Sequence, residues 1–224
     1  MQTQGTLLAA QELEELPAEQ VVQLTSLLEA FFSPNEASRM RAFEALHEMH
    51  AHQRSPLVAS LFCHALREPD LGLRSKILDA VAESMSASES DAFPSQRVRN
   101  GVNWVLRRME RGEIKAILQI AHQTPAAMRR VCFVLNACSH SGEILLDLIT
   151  DRDQDLGIRQ AAIEALGELG FLEAKPMLEH MEKRLADQSR QQLPMPFAAP
   201  TTIEAQFLLP AVRLALEQLS EAAL

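Results

Sequence analysis

The stretch "DLGLRSKILDAVAE" (Asp70 to Glu83) returns almost unchanged as "DLGIRQAAIEALGE" (Asp155 to Glu168). Internal repetition is the strongest constraint on this chain, because a unit that recurs cannot also be the whole of a core. Leu73, Ile77, Ala80 and Val81 fall at helical spacing in the first copy, as do Ile158, Ala162, Ala165 and Leu166 in the second. Each set therefore forms one apolar helix face. Ala beside larger aliphatic residues on that face lets a neighbouring helix come close.

An apolar helix precedes each copy: "SPLVASLFCHALREPD" before the first and "SGEILLDLITDRDQD" before the second. Ser55 and Ser141 are the expected N-caps, with Pro56 in the first turn after Ser55. The unit is thus a helix pair of about 30 residues, which needs neighbours to bury its apolar face. Arginine anchors extend the pattern to Arg41, Arg74, Arg99, Arg129 and Arg159, with one short step between Arg74 and Arg99. Composition agrees with helix: there is no Tyr, one Trp and only 8 Gly, while hydrophobic residues make up 47% of the 224. That balance belongs to a folded chain poor in strand formers.

The repeats resemble the HEAT family, in particular the short bacterial kind found in phycobilisome-lyase-like proteins. Their second helix reads roughly V-R-x-x-A-A-x-A-L-G, matched by "DRDQDLGIRQAAIEALGELG" (Asp151 to Gly170), more loosely by "EPDLGLRSKILDAVAESM", and in outline at Arg41, Arg99 and Arg129. The resemblance spans most of residues 17–187. It implies an all-α fold, a right-handed α-α superhelix (HEAT-like solenoid) of about five helix pairs. It also implies bonds between a turn Asp and the second-helix Arg of neighbouring repeats. Six positions before the arginines stand Asp153 in the best copy but Asn35, Glu68, Phe93 and Gln123 elsewhere, so a patchy ladder is expected.

Two segments break the pattern. "SMSASESDAFPSQ" (Ser84 to Gln96) reads as a solvated connecting loop, and "ADQSRQQLPMPFAAPTT" (Ala186 to Thr202) holds prolines that exclude a continuous helix. The expected organisation is a repeat array over 1–187, a Pro/Gln-rich linker over 188–200, and a helix over 201–224 that caps the array. Thr201 or Thr202 is its expected N-cap, Glu204 lies in its first turn and Pro210 in its interior.

No catalytic constellation is found, and no cofactor or metal is expected. His47 and His50 of "LHEMHAH" share a helix face at i, i+3, whereas His52 falls off it; a polar helix end is the expected reading, ahead of a metal site. The HEAT-repeat hydroxylases that bind iron use several His-Glu pairs, and here only His47-Glu48 is such a pair. Cys63, Cys132 and Cys138 are expected to be reduced and buried in a cytoplasmic chain.

The 21 Lys+Arg against 30 Asp+Glu give a formal charge of -9, which opposes binding to a phosphate backbone. Trp104 with Arg107, Arg108 and Arg111 is the candidate partner-binding set, although Trp104 is expected in the core and the arginines beside acidic neighbours such as Glu110 and Glu113. No run of apolar residues is long enough for a membrane span. The leading functional expectation is a non-enzymatic scaffold or adaptor holding a partner protein along the array. A lyase-like chaperone for a bilin follows from the family resemblance, and nucleic-acid binding through Arg97 to Arg111 is a third reading.

Overall fold

A computed structural model describes residues 18–86, 94–190 and 203–222. Among these, every regular element is a helix, and the chain divides into two compact units, Met1–Met109 and Glu110–Leu224. No described helix is long and apolar enough to cross a membrane.

The first unit contains α1 (Ala18–Phe31), α2 (Glu36–Glu48), the short α3 (Ala51–Arg54), α4 (Pro56–His64), α5 (Leu71–Met85) and α6 (Gln96–Leu106). α1 packs on α2, and α4 lies against both α5 and α6. The second unit contains α7 (Arg111–Gln123), α8 (Met128–Leu135), α9 (Ser141–Thr150), α10 (Leu156–Leu169), α11 (Lys175–Arg190) and α12 (Ile203–Glu221). Here α10 is the hub, touching α7, α8, α9 and α12. All eight stripe residues named in the two echoing segments are buried. The packing is compatible with a helical repeat.

What the repeat repeats is a helix start. Asn35, Asp70, Ser95 and Asp155 are N-caps, and each side chain accepts an N–H from the first turn: Ser38, Leu73, Val98 and Gly157 at 3.0, 2.6, 3.3 and 2.8 Å. The fourth residue of each of these helices is an arginine, and each reaches back to a carbonyl upstream. Arg39 donates to Ser33 and Pro34, Arg74 to Glu68, Arg99 to Pro94 and Arg159 to Ile149. The last carbonyls of a helix or turn lack intrahelical donors, so a guanidinium placed there fastens one segment to the next. Arg74 and Arg159 do this from inside the protein, at 6% and 4% exposure.

This corrects the arginine register. Arg41 is exposed and its expected place is taken by Arg39, which also pairs with Glu68 at 2.6 Å. Arg129, the second residue of α8, has a side chain 92% exposed. The patchy ladder takes the form of that Arg39–Glu68 pair and of Arg111 with Asp147 and Asp151, not of Asp153. Ser55 caps α4 as expected, accepting from Val58 at 3.3 Å, but α9 begins at Ser141 itself with His140 in the cap position.

The boundaries of the two breaks also move. α5 continues through Ser84, whose hydroxyl donates to the Ala80 carbonyl at 2.7 Å, and α6 opens at Gln96 after the Ser95 cap. Between them, positions 87–93 lie outside the described residues. α11 runs to Arg190, past the expected edge of the array, and the remainder of the 188–200 linker, together with Thr201 and Thr202, lies outside the described residues. α12 covers α10 and α11 with Ala205, Leu208, Ala211, Val212, Ala215 and Leu219, and it carries Pro210 in its interior.

The approach of α12 to α10 depends on Gly167. A Cβ added there would lie 2.8 Å from Ala215 Cα and 3.0 Å from Ala215 Cβ, and a backbone cannot turn aside as a side chain can. Gly167→Ala should therefore destabilise the protein by about 1–3 kcal/mol through overpacking, despite the gain in helix propensity. A lowered urea midpoint measures it; an unchanged or raised midpoint would mean that α12 has room to slide.

Candidate functional site

α6 is sharply two-sided. Val98, Val102, Val105 and Leu106 are buried, which turns Arg97, Asn100, Trp104, Arg107 and Arg108 to solvent. Trp104 is 47% exposed, so it does not join the core. The helical stripe set by the three valines leaves position 104 outside it, and the identity of the residue does not override that geometry. The Arg108 guanidinium carbon lies 4.0 Å from the centroid of the indole ring, and its NH1 donates to the Trp104 carbonyl at 2.8 Å. A cation over an indole face is attracted by the ring quadrupole, so the pair is held in one arrangement before any partner arrives.

Arg111, grouped with these residues in the sequence, belongs to the second unit. It pairs with Asp147 at 2.6 Å and with Asp151, joining the start of α7 to the end of α9. Hydrogen bonds from Gln154, the Asp153 N–H and Arg111 hold the Asp151 carboxyl below its usual range. Arg111 is therefore a structural tie within its unit. The exposed set narrows to Trp104, Arg107 and Arg108.

A second cluster arises where the histidines lie. α2 stops at Glu48, and His50 takes a left-handed conformation (φ 51°, ψ 30°) that is sparsely populated by residues other than glycine. The chain turns there and starts α3, which brings His52 back onto His47. The two imidazoles stack with centroids 4.8 Å apart and planes within 5°. Glu83 of α5 supplies the third group: its Oε2 lies 2.9 Å from His52 Nε2 and 3.3 Å from His47 Nε2, with Gln53 Nε2 at 3.4 Å. His50 and His47 thus do not share a helix, and His52, expected off the face, is the centre of the cluster.

His52 is fully buried, and among the described residues its Nδ1 has no hydrogen-bond partner. Burial lowers its pKa, with Glu83 opposing, so the ring is held neutral with its proton on Nε2 facing the carboxylate. For Glu83, desolvation raises the pKa, but hydrogen bonding and charge from the two histidines prevail and leave it lowered. These groups come from three helices, and the turn at His50 that assembles them leaves no mark in helical periodicity.

All three cysteines are buried thiols outside any disulfide. Burial pushes the Cys132 and Cys138 thiols up to about 12, which keeps them protonated and poor as nucleophiles at neutral pH. Cys138 lies beyond the end of α8, so the two do not share a helix as expected. In the second unit, Leu209, Pro210 and Leu214 of α12, with Ser189 of α11, border an open groove.

No protein-family model, no curated protein and no solved structure matches this chain.

Proposed function

We propose that this chain is a non-enzymatic scaffold of HEAT-like helix pairs, a right-handed α-α superhelix, that holds a partner protein through the exposed face of α6. The observation that carries the reading is the Trp104–Arg108 pair: an indole 47% exposed, with a guanidinium 4.0 Å from its ring and Arg107 beside it. Tryptophan and arginine dominate the residues that anchor protein interfaces, because one large rigid ring and one fixed fork of donors lose little entropy on docking. Arg107 and Arg108, exposed beside the ring, favour a partner segment that presents an apolar side chain to the indole and an acidic one to the guanidinium groups. The recurring cap-and-arginine helix start supports the repeat architecture beneath it.

The test is affinity capture from lysate of the source cells with wild-type protein and with Trp104→Ala, each confirmed as folded by circular dichroism. A discrete protein held by wild type should be lost from Trp104→Ala, in line with a hot-spot contribution of about 2 kcal/mol or more. Equal recovery by both would place the interface elsewhere. Recovery of nucleic acid alone, released by salt, would replace the scaffold reading with the third one.

A further inference from the structure

We propose that His47 Nε2, His52 Nε2 and Glu83 Oε2 form a binding site for a divalent transition-metal ion of the zinc class, open to solvent at its remaining coordination position. The three ligand atoms lie within 4.8 Å of one another. Two imidazole nitrogens and one carboxylate oxygen are the donor set that borderline cations take in sites with three protein ligands. Around a tetrahedral zinc with bonds of about 2.0–2.2 Å, neighbouring ligand atoms stand about 3.3 Å apart. The observed 3.3 Å from Glu83 to His47 equals that edge, and the 2.9 Å from Glu83 to His52 falls short of it.

Two further observations point to a ligand. The first is rigidity. His52 is clamped between His47 at 4.8 Å and Phe62 at 6.0 Å, and Phe43 stacks behind His47 at 5.6 Å, so both rings are oriented by aromatic walls before an ion arrives. The second is the cost of His52. A fully buried imidazole whose Nδ1 finds no partner among the described residues is costly to keep against the ring of Phe62. Its outward nitrogen is instead aimed at a carboxylate that His47 also faces. The His47 and Glu83 side chains are 37% and 45% exposed, which gives an ion an entry path.

The same geometry limits affinity. Metal on Nε2 moves the His52 ring proton to Nδ1, where the described residues offer no acceptor. Loss of such outer support weakens metal sites by about 10–100-fold, so an exchangeable ion is expected here rather than a permanently held one. Loading would tie α2 and α3 to α5. The site shares no residue with the Trp104 face.

The experiment titrates the chelator-treated full chain with Zn²⁺ by calorimetry and with Co²⁺ by visible absorption, and follows thermal unfolding with and without zinc. One ion per chain, Co²⁺ bands of low-coordinate type, and a zinc-dependent rise in midpoint are expected for wild type. His47→Gln and Glu83→Gln, both at half-exposed positions and each confirmed as folded by circular dichroism, should each weaken binding at least about tenfold and remove the rise in midpoint. His140→Ala, which disrupts the exposed His140–Glu143 pair at 3.2 Å, should keep all three signals. The proposal is overturned if wild type shows no saturable binding, if the two Gln variants bind as wild type does, or if only His140→Ala loses the ion.

Discussion

Arg159→Met is expected to be among the most damaging single substitutions in the second unit, lowering stability by about 3–5 kcal/mol, the cost of removing one member of a buried ion pair. The guanidinium, at 4% exposure, donates through Nε to the Ile149 carbonyl at 2.9 Å and through NH2 to Glu204 Oε1 at 2.7 Å. Methionine fills the space without donating, so the end of α9 and the start of α12 lose their common partner together. Arg184, 3.3 Å from the same Glu204 oxygen, remains and places the loss toward the lower end of that range. A pH dependence follows. Desolvation raises the Glu204 pKa, but Arg159 and Arg184 outweigh it and leave it below its ordinary value of 4.5. A carboxyl depressed on folding adds stability that is complete above 4.5 and is lost as pH falls through the folded value. Wild type should accordingly lose part of its margin over mutant as the medium is acidified below that point. Urea midpoints at neutral and acid pH, with hydrogen exchange of α12 peptides, measure both effects; an undisturbed α12 in Arg159→Met would show that the arginine does not hold it.

The two echoing helices were legible because periodicity acts locally: the stripe Leu73, Ile77, Ala80, Val81 and its later counterpart are buried, and the echo itself begins at Asp70 and Asp155, the residues that cap the two helices. The arginine register was legible only in part. Arginine identity alone does not set the register; position does: in four described helices the guanidinium that reaches a carbonyl of the preceding segment stands fourth, four places after an Asn, Asp or Ser cap. That rule selects Arg39 over Arg41, both present in "SRMR", and rejects Arg129, which follows a turn over Pro125–Ala127. Residue type puts Trp104 inward, although the valine stripe already places it outward. The histidine cluster lay beyond sequence reading for another reason. It needs a left-handed turn at His50 and a glutamate from α5, and neither a single backbone dihedral nor a contact between distant helices leaves a periodic trace.

In the first unit the largest loss should come from Phe62→Ala, at about 3–5 kcal/mol. Phe62 is fully buried, and its ring meets Phe43 at 5.2 Å, Phe31 at 5.4 Å and His52 at 6.0 Å, so one truncation opens a cavity bordered by α1, α2 and α3. Most of that lining is apolar and stays dry, which is the condition under which a cavity costs most. The His52 side is different, because Nδ1 is a polar atom with no partner among the described residues and offers water a foothold. Phe62→Leu, which fills most of the volume but presents no flat face to the imidazole, separates the two contributions. It should recover more than half of the lost stability while leaving His52 less firmly oriented. Trp104 is the sole tryptophan of the chain and lies in this unit, so its fluorescence follows the unfolding directly. Equal midpoints for Phe62→Ala and wild type would mean that the neighbouring rings collapse into the space, and that the aromatic walls around His52 are softer than their packing implies.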